Sequence, residues 1–149
     1  MQGAVRAAGS VHVNLVERTI VSEREVPETL RALLKGDAAV DAIWLPPDPV
    51  LLGDETRRFI LSEALKAGRP VFTSIPALVA EGALVSHGPD YASIGEVAGE
   101  LANRLAAGEK ANKITMMIPR PELIINKKVA DRLKVEIPPA ALQAAAKVF

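Results

Sequence analysis

Residues 41–50, DAIWLPPDPV, contain a short apolar segment that stops at two consecutive prolines. The apolar run 42–45 is long enough for a buried strand and too short for a helix. Neither proline has a backbone N–H donor, so a strand ladder cannot continue through them. Trp44 lies in the middle of the run and is expected in the core. The segment therefore predicts a buried strand whose carboxyl end carries Asp48 in a stiff loop.

The rest of the chain alternates predicted strands with predicted helices. Strands are expected at 11–21, 41–45, 70–74, 82–87, 113–118 and 122–126, and helices at 26–36, 54–68, 90–108, 127–133 and 138–149. The first strand depends on the alternation of Val11, Val13 and Leu15. Such alternation with short connections predicts an α/β fold, a Rossmann-like parallel sheet with helices on both faces. No segment has the composition of a linker, so residues 1–149 are expected to form a single α/β domain.

The composition excludes several classes of function. Lys plus Arg and Asp plus Glu are 18 each, so no net charge favours nucleic acid or an anionic membrane. The absence of cysteine excludes thiol catalysis, disulfides and thiolate metal sites. The two histidines, His12 and His87, have no carboxylate at ligand spacing, and we expect neither a metal nor a cofactor. Residues 1–14 lack the apolar core of a secretory signal, and no apolar run reaches the length of a membrane helix.

Candidate ligand-binding residues follow three of the predicted strands. Pro47 and Asp48 follow the first, Ser74 ends the second, and His87 ends the third. In open α/β sheets, ligands bind beyond the carboxyl ends of the strands, so these four residues are expected to line one site. Each polar member also has a structural alternative, since Asp48 and Ser74 can cap turns and His87 can be an ordinary loop histidine.

The same positions predict binding and not catalysis. No G-x-G-x-x-G, P-loop or G-x-S-x-G motif is present. Only Asp48 and His87 could serve as a titratable pair, so a small hydrolase or isomerase is the weakest alternative. Asp90 follows Gly88-Pro89 and is expected to cap helix 90–108 and to fix the loop that carries His87.

Three segments together resemble the solute-binding proteins of ABC transporters, in the subfamily associated with tryptophan or tyrosine uptake. They are VDAIWLPPDPVLL (40–52), GRPVFTSIPALVAEGALVSHGPDYASIGEVAGELANRLAAGEK (68–110) and PELIINKKVADRLKVEIPPAALQAAAKVF (121–149). The resemblance implies a type I periplasmic-binding fold, in which two Rossmann-like lobes close on a ligand. This chain resembles only the C-terminal half of that fold, and segment 82–118 resembles the part that crosses to the other lobe. The first lobe and an export signal are not in the sequence, so we expect a fragment or a short natural protein.

The resemblance implies that the protein binds a ligand and does not catalyse a reaction. The expected ligand is a small organic solute, such as the amino acids tryptophan or tyrosine, and the expected partner is an ABC permease. Sugar-binding relatives of the fold often place Asn-Asp and Asp where this chain has Pro47-Asp48 and Ser74, so a less polar ligand is expected. The location would be extracytoplasmic, either periplasmic or lipid-anchored.

Half of a two-lobed receptor leaves apolar edges exposed to water. We therefore expect a homodimer in which each copy covers the apolar edges of the other, with domain swapping as one form. The alternative is an isolated dimerising interaction or sensor module that has lost ligand binding with the other lobe.

Overall fold

The computed structural model describes residues 2–36 and 39–149 of the chain, and within these ranges it forms a five-stranded sheet with helices. The strands are β1 (Ile43–Leu45), β2 (Val71–Thr73), β3 (Val85–Pro89), β4 (Pro121–Ile125) and β5 (Lys147–Val148). The helices are α1 (Gln2–Ser10), α2 (Val26–Leu34), α3 (Asp54–Lys66), α4 (Ala77–Glu81), α5 (Tyr91–Ala106), α6 (Lys127–Leu133) and α7 (Pro139–Ala144), with single 3-10 turns at Glu23–Glu25 and Ala111–Lys113. The predicted α/β class is confirmed.

The strands follow one another across the sheet in the order β1-β2-β3-β4-β5. The pairs β1–β2 and β2–β3 are parallel, as the sequence predicted, and the pair β4–β5, which was not predicted, is parallel as well. The pair β3–β4 is antiparallel, with Val85 opposite Ile125 and Pro89 opposite Pro121. The chain therefore leaves the sheet at the end of β3 and re-enters it at the same edge, after residues 90–120.

Three predicted elements differ from those in the structure. Residues 13–20 have no regular secondary structure, and Val11 and Val13 are exposed, because no described strand lies beside this segment to complete a ladder. The strand expected at 113–118 is also absent, and Met116 and Ile118 are exposed. The expected helix 138–149 ends at Ala144, since the following residues form β5 against β4 and the Phe149 N–H donates to the Ile125 carbonyl at 2.9 Å. Ladder hydrogen bonds here override the helix propensity of an alanine-rich tail.

The main core lies on one face of β1 and β2. Leu45 and Val71 pack there with apolar residues of three helices: Val26 and Leu30 of α2, Ile60, Leu61 and Ala64 of α3, and Leu78 of α4. A second cluster joins Leu84 to Val129 and Ala130 of α6. Burial on this scale is the main favourable term in the stability of a domain.

The expectation that Trp44 lies in the core is wrong. Its side chain is 49% exposed, although Leu45 beside it is buried. Consecutive residues of a strand point to opposite faces, and the helices of the main core cover the face that carries Leu45. Phe72, which pairs with Trp44 in the ladder, is exposed in the same way.

Local signals set two of the helix ends. Asp90 caps α5 as predicted, because its Oδ1 accepts a hydrogen bond from the Ala92 N–H at 2.9 Å. Helix α3 ends before Gly68, whose φ of +71° is a left-handed conformation that glycine adopts without strain. Among the described residues, no helix combines the length and the apolar character needed to cross a membrane.

Candidate functional site

The carboxyl ends of the three parallel strands meet at one edge of the sheet. Leu45 pairs with Thr73, and Thr73 pairs with Ser86, so the residues that follow them leave the sheet together. These residues include Pro47, Asp48, Ser74 and His87, and we call these four the strand-end rim. The structure thus places all four predicted ligand-binding residues along the same edge, where α/β sheets bind their ligands.

Asp48 caps the turn that follows β1. Its Oδ1 accepts hydrogen bonds from the backbone N–H groups of Val50 at 2.9 Å and Leu51 at 3.4 Å. Its backbone carbonyl also accepts from Leu51 and from Leu52. The turn-capping role of Asp48, which the sequence left open as an alternative to ligand binding, is therefore present in the fold. None of these bonds uses Oδ2, which leaves the second carboxylate oxygen as the atom that can face a ligand.

Ser74 and Gly88 lie in direct backbone contact at the rim. A Cβ atom built on Gly88 would lie only 2.2 Å from the Ser74 carbonyl oxygen. Only glycine allows the ends of β2 and β3 to approach this closely. The neighbouring Thr73 is buried, and its Oγ1 accepts a hydrogen bond from the Ile75 N–H at 3.2 Å, so Thr73 and not Ser74 supplies the side-chain acceptor of this turn.

His87 is an exposed residue of β3, next to the buried Ser86. Because side chains alternate along a strand, His87 points to the face opposite Ser86, which is the face that carries Trp44 and Phe72. The imidazole can therefore donate to or accept from a ligand at the rim. Sequence analysis missed the two aromatic residues on this face, because the apolar run alone does not indicate which face of a strand is covered.

Glu122 is a rim neighbour that sequence analysis also missed. Since β4 runs antiparallel to β3, its first residues lie at the edge where β3 ends, and Glu122 pairs with Gly88. The segment 122–126 was expected to be a strand, but a period of two carries no information on strand direction. Glu122 is half-buried and brings a second carboxylate to this edge.

Residues 90–120, which we call the arm, leave the sheet at the rim and carry an apolar surface that no described part of the chain covers. Ser93 is the only buried residue of α5. Several large apolar side chains of the arm are exposed, namely Tyr91, Ile94, Leu105, Met116 and Ile118. An apolar surface of this kind usually marks a contact with another protein surface.

The shifted pKa values belong to ion pairs that stabilise helices. A hydrogen bond from Arg57 lowers the pKa of Asp54 at the start of α3, and Arg57 also binds Glu81 of α4 at 2.8 Å. A hydrogen bond from Arg104 likewise lowers the pKa of Glu109 beyond the end of α5. These ion pairs connect α3 to α4 and the end of α5 to the residues that follow it, and they lie outside the strand-end rim. Within the described ranges, no three His, Asp or Glu side chains form a group that could hold a metal ion.

None of the four residues of the strand-end rim is buried, and none lines either of the two cavities described for the structure. Two shallow cavities occur elsewhere, one of about 180 Å³ between α6 and α7 and one of about 220 Å³ between α2 and α3. Both are smaller than the roughly 300 Å³ at which ligand pockets begin. A ligand at the rim would therefore be held from one side only, unless a second surface closes over it.

The family of the chain follows from a match over nearly its whole length. The family model described as "ABC transporter substrate binding protein" matches residues 3–149. The chain belongs to this family. Its members are binding proteins and not enzymes, so the reading of Asp48 and His87 as a catalytic pair receives no support.

Individual relatives of the ABC substrate-binding chain are about two to three times longer. A tyrosine-binding protein of Clostridioides difficile is 27% identical over 124 residues, which are 82% of this chain and 34% of the relative. The ABC domain of a Streptococcus pneumoniae protein, solved in complex with L-Trp, is 24% identical with a TM-score of 0.78, and the match covers 99% of this chain and 50% of that one. A conserved domain protein of Vibrio cholerae has the same identity and a TM-score of 0.77, with 99% and 49% covered. These structures establish the fold, and the chain spans about half their length.

Proposed function

We propose that this chain is the C-terminal, ligand-binding half of an ABC-transporter substrate-binding protein and binds an amino acid with an aromatic side chain. The observation that carries the proposal is the meeting of Pro47, Asp48, Ser74 and His87 at one sheet edge, in a chain of this family. The tyrosine and L-Trp named for two relatives support the choice of ligand class. In this proposal His87, Ser74 and the free oxygen of Asp48 orient the polar groups of the ligand, and Pro47 contacts its apolar part.

The proposed role requires partners that supply the other side of the cleft and the transport step. Residues 1–149 form one α/β domain in this proposal, and segment 82–118 crosses to the first lobe in full-length relatives. The partner for transport is an ABC permease, and the location is extracytoplasmic, periplasmic or lipid-anchored, as is typical of the family. Neither nucleic acid nor a resident cofactor takes part.

Replacing His87 with alanine should weaken the binding of L-tryptophan or L-tyrosine about five- to tenfold, the value of one hydrogen bond to the ligand. Isothermal titration calorimetry at fixed pH measures the dissociation constant directly. His12→Ala is the matched control, because it removes the only other histidine of the chain from an exposed position that follows α1 and belongs to no strand end. Equal affinities of the two variants would contradict the role of His87, and no binding of any amino acid by the unmodified chain would contradict the proposed function.

A homodimer is the second part of the proposal. The exposed apolar residues of the arm, together with the exposed Trp44 and Phe72, support it, since each copy would cover apolar surface of the other. Exchange of the arms between two copies is one form of this assembly. If the rim binds no amino acid but the dimer forms, the alternative of a dimerising interaction or sensor module is favoured.

Replacing Ile94 with aspartate should convert the dimer to a monomer without loss of secondary structure. A charge in the centre of an apolar interface is costly because it cannot be hydrated there. Native mass spectrometry reports the mass of the assembly and any retained small molecule in one measurement. Glu100→Ala, an exposed change on the same helix, is the control and should leave the dimer intact. An unmodified chain that stays monomeric and binds little hydrophobic dye would contradict the dimer.

A further inference from the structure

The arm joins the sheet at the end of the β3–β4 ladder. The last paired residues are Pro89 and Pro121, which lie opposite each other. Hydrogen-bonded and non-hydrogen-bonded pairs alternate along an antiparallel ladder, and Pro89–Pro121 is a non-hydrogen-bonded pair, so the missing proline N–H groups remove no ladder bond. The next position, Asp90 and Arg120, is where two reciprocal hydrogen bonds are expected.

The next two residues, Asp90 and Arg120, form half of an antiparallel pair. The Asp90 N–H donates to the Arg120 carbonyl at 2.9 Å, as a ladder would require. The reciprocal bond is missing, since the Asp90 carbonyl accepts from Ile94 and begins α5. The Arg120 N–H donates instead to the hydroxyl of Ser93 at 2.9 Å. The Asp90 carbonyl is used by the helix, so the Ser93 hydroxyl replaces it as the acceptor for the Arg120 N–H.

Two further contacts hold the same residues. The Arg120 guanidinium lies 2.9 Å from the Glu96 carboxylate and 3.8 Å from that of Asp90. The Ser93 side chain is 2% exposed, so water does not compete freely for its hydrogen bond. The ion pairs, in contrast, involve exposed side chains and are weak by comparison.

We propose that Ser93 is a positioning residue, and that its hydroxyl fixes the direction in which the arm leaves the sheet. Without this bond, the described contacts between the two ends of the arm are one backbone hydrogen bond and ion pairs of largely exposed side chains. The arm begins three residues after His87, so its direction also sets where a second surface can lie over the rim. That last consequence rests on the proposed function, whereas the positioning itself does not.

Spin-label distances measure the direction of the arm directly. The chain contains no cysteine, so the changes Ala102→Cys in α5 and Lys128→Cys in α6 give a single pair of labels. Double electron–electron resonance on the full chain, diluted with unlabelled protein, then reports the distance between arm and sheet within one molecule. Ser93→Ala should at least double the width of the distance distribution, and Ser93→Thr, which keeps a hydroxyl, should restore most of the original width.

The controls separate positioning from general loss of structure. Ser62→Ala removes an exposed helix hydroxyl that bonds within its own helix, and it should leave the distribution unchanged. If Ser93→Ala does not fold, Ser93→Val takes its place, since valine has the shape of the threonine variant without the hydroxyl and should produce the same broadening. An unchanged distribution in the folded Ser93→Ala chain, or in Ser93→Val as its replacement, would overturn the proposal. The measurement needs no ligand, so a failure to bind tryptophan would count against the proposed function alone.

Discussion

Replacing Asn126 with alanine is expected to lower the free energy of unfolding by about 3 kcal/mol, because one buried side chain fulfils two hydrogen-bonding roles. Its Oδ1 accepts from the Val129 N–H at 3.0 Å and caps α6. Its Nδ2 donates to the Val79 carbonyl at 2.8 Å and ties α6 to α4. Alanine would leave the Val129 N–H without its cap, and the Val79 carbonyl would keep only the longer bond from the Gly82 N–H at 3.3 Å. Urea unfolding followed by circular dichroism measures the change.

Two further variants locate the effect at Asn126. Asn126→Ser keeps an acceptor suited to the cap and loses only the bond to Val79, so it should be less destabilised by about 1 kcal/mol than the alanine variant. Asn112→Ala changes an exposed asparagine and should shift stability by less than about 0.5 kcal/mol. If Asn126→Ala proved as stable as Asn112→Ala, the side chain would not hold α6 and α4 together.

Replacing Gly88 with alanine is expected to cost about 3 kcal/mol of stability, through a steric clash with backbone. The new Cβ would lie 2.2 Å from the Ser74 carbonyl oxygen, and a backbone carbonyl cannot rotate away as a flexible side chain can. Relief of the clash requires the ends of β2 and β3 to separate, so the strand-end rim should lose its geometry as well. Ligand titration and urea unfolding of the same variant measure the two consequences.

Gly95→Ala is the matched control for this change. Gly95 lies within α5, and no atom comes within 4 Å of the Cβ that alanine would add. Alanine is the better helix former, so this variant should gain about 0.5 kcal/mol. A Gly88→Ala chain with unaltered stability would mean that the two strand ends can separate freely, contrary to the close contact in the structure.

The sequence predicted those parts of the fold that depend on local chemistry. The prolines after β1, the Asp90 cap and the alternation of strands and helices are all readable from neighbouring residues, and each is present in the structure. The placement of Asp48, Ser74 and His87 along one edge followed from the rule for parallel strands.

The features that could not be predicted depend on contacts between distant segments. The direction of β4 is set by where residues 90–120 bring the chain back, which the pattern within 121–125 does not contain. The exposure of Trp44 depends on which face the helices cover, and an apolar run looks the same in both cases. Residues 13–20 have the pattern of a strand, but a strand also needs a neighbour to pair with.

The order of the strands in the sheet is also their order of synthesis, and this has a consequence for how the chain assembles. As each strand emerges from the ribosome, its neighbour in the sheet has already been made, and the connections 46–70, 74–84 and 126–146 are all shorter than the arm. The longest interval precedes β4, because residues 90–120 must be made before it can reach β3. During that interval β3 presents a free edge, and free edges pair with other chains. The closing of β3 on β4 is therefore the step of biogenesis at which a nascent chain is most open to a neighbour on the same polysome.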